Sequence, residues 1–90
     1  PIAPLSPENF EANPLNNNSV LLKWDSSKYT DGYKLFRDNI LLDDTLTTKE
    51  LYFIDNTVDI NQTYSYKVEA YNIVGENNSS EMSVTIPDGD

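Results

Sequence analysis

The sequence predicts an all-β fold, a seven-stranded antiparallel sandwich of two sheets. Three observations support it. Apolar and polar side chains alternate over several short segments, as in half-buried strands. Turn-forming residues, chiefly Asn, Asp, Gly and Pro, recur about every 8 to 12 residues. No segment shows the helical repeat of about 3.6 residues.

The regular alternation of residues 63–72 predicts the clearest strand. Side chains two positions apart on a strand share a face. One face carries Tyr64, Tyr66, Val68 and Ala70. The other carries Ser65, Lys67, Glu69 and Tyr71. We expect the first face to lie in the core and the second to face outward, as in an antiparallel sheet.

The N-terminal part of the chain predicts a linker and an edge strand. Residues 1–6 contain prolines at every third position, which predict a semi-rigid linker. The domain is then expected over residues 7–87, with residues 88–90 as a linker stub. Residues 8–12 predict a short edge strand between prolines, and the Asn-rich residues 13–18 predict a turn.

Two further strands follow. Residues 19–25 place Val20, Leu22 and Trp24 on one face, and Trp24 is expected to anchor the core. A polar loop precedes the strand at residues 33–37, where Tyr33 and Leu35 point inward. The outward residues of that strand are Lys34 and Phe36. Asp38 and Asn39 then predict a turn.

Three more strands complete the prediction. Residues 40–46 predict a poorly defined strand, because their apolar run does not alternate. Residues 51–55 alternate again with Leu51 and Phe53 inside, and residues 56–62 turn around the apolar Val58. Residues 73–78 predict a loop and residues 79–86 the last strand. The expected core contains Trp24, Tyr33, Leu35, Phe53, Tyr64, Tyr66 and Val68.

Length and net charge disfavour several kinds of partner. The 90 residues are enough for one domain with a thin core. The 15 acidic and 6 basic residues give a net charge of −9, which disfavours nucleic-acid and membrane partners. Repulsion between copies favours a monomer.

The residue types disfavour an enzyme. Cysteine and histidine are absent, so the sequence offers no disulfide, thiolate site or ordinary general base. Asp43 and Asp44 are adjacent and would point to opposite faces of a strand, unlike a paired acid and base. No segment has the ligand spacing of an EF-hand calcium loop. We expect no catalytic residue, no cofactor and no metal site.

Several short motifs together resemble the fibronectin type III family. They are Pro7, Val20-x-Leu22-x-Trp24, Gly32-Tyr33-x-Leu35, Phe53-x-Asp55, Tyr64-x-Tyr66-x-Val68-x-Ala70-x-Asn72 and Gly75-Glu76. The near alternative is an antibody-like domain, which places its tryptophan on the third strand between two cysteines. Here Trp24 lies on the second strand and cysteine is absent. The resemblance implies that the Tyr64 hydroxyl bonds backbone a few residues upstream. The alternative for Tyr64 is a plain core aromatic.

Within this family, the pattern Tyr33-x-Leu35-Phe36-Arg37-Asp38, followed later by Phe53-x-Asp55, is most similar to modules between the catalytic and carbohydrate-binding parts of secreted bacterial enzymes. That resemblance implies a non-catalytic spacer or scaffold in a secreted or cell-surface protein, whose partners are neighbouring domains of the same polypeptide. An adhesion module of a cell-surface protein is the other large class. Strands of this length predict a body about 25 to 30 Å long.

Exposed aromatic residues favour a second hypothesis, a binding module. Phe36 and Tyr71 point outward from strands that the family places in one sheet, with Tyr29 and Tyr52 expected near its margins. Such rings can contact a polysaccharide or a protein partner. The apolar edge at residues 40–42 offers another contact surface. Alternatively, the rings pair across strands and only stabilise the sheet.

Overall fold

A computed structural model describes residues 2–16 and 18–88, which form two antiparallel sheets. The strands in chain order are β1 (Glu11–Asn16), β2 (Ser19–Lys23), β3 (Gly32–Arg37), β4 (Ile40–Leu46), β5 (Tyr52–Asp55), β6 (Thr63–Tyr71), β7 (Glu76–Asn78) and β8 (Met82–Thr85). One sheet has the order β1-β2-β5. The other has the order β4-β3-β6-β7, with β8 also paired to β6. The predicted all-β, two-sheet fold is confirmed.

The core fills the space between the two sheets. Trp24 packs against Phe10 and Tyr33, with ring centroids 6.3 and 5.6 Å away. Phe53 and Tyr64 are partly buried and pack against the core. The buried apolar side chains are Phe10, Val20, Leu22, Trp24, Tyr33, Leu35, Leu46, Val58, Tyr66, Val68, Ala70, Val84 and Ile86. Among the described residues, no helix is long and apolar enough to cross a membrane.

Strand β6 connects the two ends of the molecule. Beyond its last residue, Asn72 donates a hydrogen bond to the carbonyl of Ile2. Before its first residue, the carbonyl of Gln62 accepts a hydrogen bond from the amide of Ile86. We call these ends the N-terminal pole (residues 2–5, 26–31 and 71–75) and the C-terminal pole (residues 38–39, 56–62 and 86–88).

The molecule measures about 50 × 21 × 20 Å. Its longest dimension exceeds the predicted 25 to 30 Å, a prediction that used only the length of a strand.

The edge beside β6 is split into two strands, so the structure has eight strands where the sequence predicts seven. Residues 73–78 were predicted as a loop, but β7 pairs with β6 from Tyr71 to Glu69. The break lies at Ser79, whose hydroxyl accepts a hydrogen bond from the amide of Val68. This side chain takes the place of a backbone acceptor in the ladder.

Strand β1 lies later in the chain than predicted. Residues 8–12 were expected to form the edge strand and residues 13–18 a turn, but β1 spans Glu11–Asn16 and includes Pro14. Proline is tolerated there because β1 is an edge strand, and a bulge follows Pro14. The predicted turn also includes residue 17, which lies outside the described residues.

The turn at Asp38 and Asn39 is a two-residue hairpin. Both residues have positive φ angles, 53° and 67°, and their neighbours Arg37 and Ile40 are paired. Asn and Asp adopt this backbone more readily than most residues, and it matches the twist of the flanking strands. The predicted turn is therefore confirmed.

The N-terminal segment is bonded to the sandwich. Pro4 is fully buried, and its carbonyl accepts a hydrogen bond of 2.7 Å from the side-chain Nδ2 atom of Asn77. The amide of Leu5 donates to the carbonyl of Lys28 at 3.1 Å. Residues 2–5 of the predicted linker thus have fixed contacts. Residue 1 of that linker and residues 89 and 90 of the predicted stub lie outside the described residues.

Gly32→Ala should destabilise the fold. A Cβ atom at this position would lie 2.8 Å from the carbonyl oxygen of Leu46 and 2.8 Å from the hydroxyl of Tyr71. The Leu46 oxygen belongs to the backbone, so it cannot move without disturbing the pairing of β3 and β4. We expect a loss of about 1 to 3 kcal/mol in the free energy of unfolding, measured by urea denaturation.

Gly75→Ala is the matched control. Its Cβ would meet only Ala3, at an ordinary 3.7 Å. Its stability should stay equal to that of the wild type or rise by up to about 1 kcal/mol, since alanine restricts the unfolded chain. Equal effects of the two substitutions would contradict the proposed close approach at Gly32.

Candidate functional site

The two predicted ligand residues lie on the outer face of the larger sheet. Phe36 on β3 is paired with Lys67 on β6, and Tyr71 is paired with Gly32. Both aromatic side chains are partly exposed. Tyr71 lies four residues beyond Lys67 on the same strand, so the two rings are separated by about 13 Å along β6. The structure places Phe36 and Tyr71 on one face but not in contact.

A lysine lies over each of these rings. The Nζ atom of Lys34 is 5.1 Å from the centroid of Tyr71, and the Nζ atom of Lys67 is 5.6 Å from that of Phe36. These distances are those of cation–π contacts. A ligand that stacks on either ring would have to displace the lysine above it.

Tyr71 also has a packing role. Its ring lies across Gly32, where an added Cβ would come within 3.1 Å of the Tyr71 Cζ atom. An aromatic ring that covers a strand glycine protects the exposed backbone and stabilises the pair. The ligand role of Phe36 and Tyr71 stays a prediction.

The other two tyrosines do not complete this surface. Tyr52 is 61% exposed but lies on β5 in the smaller sheet, so the prediction that it borders the same face is wrong. Alternation identifies the face of a strand, but the sheet to which the strand belongs depends on pairing. Tyr29 is exposed at the N-terminal pole, where its carbonyl accepts a hydrogen bond from Asn72.

The predicted apolar edge at residues 40–42 borders a shallow groove. Ile40 and Leu41 are exposed, and Leu42 packs partly against the core. The groove has a volume of about 130 Å³ and is also lined by Arg37, Asp38 and Tyr64. This volume is below the range of about 300 to 1,000 Å³ that is usual for small-molecule sites.

The buried carboxylate of Asp55 is the centre of a polar network. Its Oδ1 atom accepts hydrogen bonds from the amide and hydroxyl of Thr57, at 3.0 and 2.6 Å. Its Oδ2 atom accepts from Arg37 at 2.9 Å and from the Tyr66 hydroxyl at 2.8 Å. The guanidinium of Arg37 also lies 5.0 Å from the centroid of the Tyr64 ring. We call Arg37, Asp55, Thr57 and Tyr66 the Asp55 network.

The network fixes the charge states of its members. Burial is the largest influence on Asp55 and favours the neutral acid, but the hydrogen bonds from Thr57, Tyr66 and Arg37 outweigh it and lower the pKa of Asp55. Burial and the adjacent carboxylate raise the pKa of Tyr66 well above its ordinary value. Burial opposes the charge of Arg37, yet its bond to Asp55 raises the pKa of Arg37 overall.

The network joins the two sheets. Asp55 belongs to β5, whereas Arg37 and Tyr66 belong to β3 and β6. Both carboxylate oxygens are occupied by protein donors, so the arrangement is suited to stabilising the fold and offers no free lone pair to a substrate. The sequence analysis identified Asp55 only as part of the Phe53-x-Asp55 motif. The motif did not predict the other members of the Asp55 network.

Elsewhere within residues 2–16 and 18–88, no group of three or more His, Cys, Asp or Glu side chains could hold a metal ion.

Comparison with known proteins identifies the fold. The chain matches no known family profile. The crystal structure of FN3tt superposes with a TM-score of 0.82 at 22% identity, covering 99% of this chain and 100% of that chain. The third fibronectin III domain of human KIAA0343 protein superposes with a TM-score of 0.74 at 16% identity, covering 96% and 84%. The chain has the fibronectin type III fold.

A curated sequence relative is much longer than this chain. It is an alpha-amylase from Niallia circulans, 30% identical over 94 aligned residues. The match covers 97% of this chain and 7% of the amylase.

Tyr64 occupies the position that the fibronectin type III resemblance implies. Its hydroxyl accepts a hydrogen bond of 2.9 Å from the amide of Asp59, five residues upstream. The bond secures the turn between β5 and β6, in which Val58 is buried. Tyr64 is therefore a corner tyrosine rather than a plain core aromatic.

Asp55→Asn should remove a pH-dependent part of the stability. Because the folded pKa of Asp55 is lower than the unfolded value of about 3.9, its contribution is complete above about pH 5 and is lost as the pH falls below the unfolded pKa and through the folded pKa. We expect the variant to be less stable at pH 7 by about 2 to 4 kcal/mol. The difference should shrink between about pH 5 and pH 2 in urea denaturation.

Asp44→Asn is the control, because Asp44 is exposed on β4. Its effect on the free energy of unfolding should stay within about 0.5 kcal/mol. A difference between the wild type and Asp55→Asn that remains constant down to pH 2 would show that the ionised carboxylate is not the source of the stabilisation.

Proposed function

We propose that this chain is a non-catalytic accessory module that spaces the domains of a larger secreted protein, a carbohydrate-active enzyme. The main support is its similarity to 7% of an alpha-amylase, because the match takes in nearly all of this chain and leaves most of the enzyme outside it. The same match supports an extracellular location as part of this proposal.

The shape of the molecule supports the role of a spacer. The chain enters at the N-terminal pole and leaves at the C-terminal pole, at opposite ends of β6. The body is about 50 Å long and about 20 Å wide. Domains attached at the two poles would be held apart by a body whose strands are crosslinked by the Asp55 network.

The chemistry of the polar residues supports a non-catalytic role. Asp55, the buried carboxylate, has both oxygens bonded to protein donors. The sequence contains no histidine or cysteine that could act as an ordinary general base or nucleophile.

The proposal can be tested in the parent enzyme. The module is replaced there by a flexible Gly/Ser segment with the same number of residues. A flexible segment spans a broad range of distances, whereas the module sets one distance. We expect unchanged hydrolysis of a short soluble substrate and slower hydrolysis of an insoluble polysaccharide. The control replaces the module with an unrelated rigid domain of similar length, which should restore part of the lost rate. Loss of activity on the soluble substrate would mean that the module belongs to the catalytic unit.

A glycan-binding role for Phe36 and Tyr71 is the second candidate, supported by their common position on the outer face of one sheet. Amide NMR of the isotope-labelled chain during titration with polysaccharides distinguishes the glycan-binding role from the spacer role. Under the spacer proposal, we expect no shifts at Lys34, Phe36, Lys67 or Tyr71.

Saturable shifts at these residues would favour the binding role instead. Phe36→Ala combined with Tyr71→Ala should then abolish them, while Tyr52→Ala on the other sheet should not.

A further inference from the structure

The two sheets have four edges, and three of them carry a feature that hinders the addition of another strand. Strand β1 contains Pro14, which has no amide to donate. In β4 the amide of Thr45 is occupied by the Asp43 carboxylate at 2.7 Å. The edge formed by β7 and β8 is interrupted at Ser79. The fourth edge is β5, which pairs only with β2 in the part of the chain that the structure describes.

The pairing register shows which backbone groups of β5 face its free side. The amide of Trp24 donates to the carbonyl of Leu51, and the antiparallel pairing of β2 and β5 continues from there. Hydrogen-bonded and non-hydrogen-bonded pairs alternate in such a ladder. Tyr52 and Ile54 therefore point their amides and carbonyls away from β2. Within residues 2–16 and 18–88 these four groups have no hydrogen-bond partner.

A groove with a volume of about 310 Å³ lies beside this edge, between β5 and β4. We call it the β5 groove. Its apolar lining includes Leu46, which is buried, and Phe53, which packs partly against the core. Its polar lining includes the carboxylates of Asp43 and Glu50. A side chain that enters the groove would therefore meet apolar atoms and negative charge together.

The charges around the β5 groove favour a basic side chain inside it. The Asp43 and Glu50 carboxylates accept hydrogen bonds from the amides of Thr45 and Thr47, but neither forms an ion pair with another described residue. The other charged side chains on these elements and on β2 beside them are Asp44, Lys49, Lys23 and Asp55, the last already bonded to Arg37. None of these lines the groove. The charge within the groove is therefore negative.

The alternation of side chains on β5 determines what an added strand would present. Tyr52 and Ile54 are 61% and 45% exposed on the outer face, whereas Phe53 points inward. A partner residue opposite Phe53 would point into the β5 groove, and the residues on either side of it would lie beside Tyr52 and Ile54. Lysine or arginine suits the inward position, because its apolar stem can contact Leu46 and its charged end the carboxylates. Apolar residues suit the two outward positions.

We propose that the free edge of β5 binds an extended peptide segment of a partner protein by β-strand addition. The segment has a lysine or arginine between two apolar residues. Backbone hydrogen bonds to Tyr52 and Ile54 hold it, and the β5 groove selects the basic side chain. A partner with positive charge is favoured over a second copy of this chain, since two copies with a net charge of −9 repel each other. This inference does not depend on the spacer role.

Amide NMR of the isotope-labelled chain tests the proposal with the end-blocked peptide Thr-Val-Lys-Val-Thr. We expect saturable shifts along β5. At saturation, exchange of the Tyr52 and Ile54 amides with solvent should slow by about tenfold, because these amides gain hydrogen bonds. The Phe53 amide already faces β2, so its exchange should not change. This residue is an internal control on the same strand.

Two further peptides separate strand addition from general attraction between opposite charges. N-methylation of both valines keeps the side chains and the charge but removes two backbone donors, so the slower exchange at Tyr52 and Ile54 should be lost. Replacement of the lysine by glutamate should abolish binding.

Two matched variants of the chain test the β5 groove. Asp43→Asn should weaken binding of the lysine peptide by about three- to fivefold. The control Asp44→Asn removes the same charge outside the groove and should stay within about twofold of the wild type.

The absence of saturable shifts with the lysine peptide would overturn the proposal. Equal binding of the N-methylated peptide, or binding that leaves the exchange of Tyr52 and Ile54 unchanged, would show that the backbone edge is not the site. Exchange at these two amides that slows with rising concentration of the chain alone would identify a second copy as the occupant and also refute the proposal.

Discussion

The fold depends on a single buried carboxylate that is fully satisfied by protein donors. Burying a charge is costly, and Asp55 is tolerated because each of its oxygens accepts two hydrogen bonds. Asp55 lies on the smaller sheet and its partners Arg37 and Tyr66 lie on the larger one, so the same bonds that solvate the charge also fix how the sheets face each other. Apolar packing alone has little directional preference, and the network supplies the direction.

The alternation of side chains predicted much of this architecture. It placed Tyr66 and Val68 in the core and Phe36 and Tyr71 on the outer face, because the period of two is a local property of a strand. The hairpin at Asp38 and Asn39 was also predictable, since its backbone requires residues that tolerate positive φ. These features depend on neighbours within a few positions in sequence.

The features that were not predicted depend on distant partners. Asp55 bonds residues 11 and 18 positions away, and at the end of a strand it could equally have been a solvated carboxylate. Strand β7 consists of three exposed residues with no apolar alternation, and only its pairing with β6 makes it a strand. The lysines above Phe36 and Tyr71 come from neighbouring strands, so the accessibility of these rings could not be read from their own segments.

The interrupted edge at Ser79 limits how this sheet can pair with the sheet of another molecule. An unbroken edge strand presents a row of free amides and carbonyls to which another sheet can add. Here the Ser79 hydroxyl occupies a ladder position, and β7 and β8 have only three and four residues. This edge is a poor template for intermolecular pairing, which lowers the tendency of two copies of the chain to aggregate through their sheets.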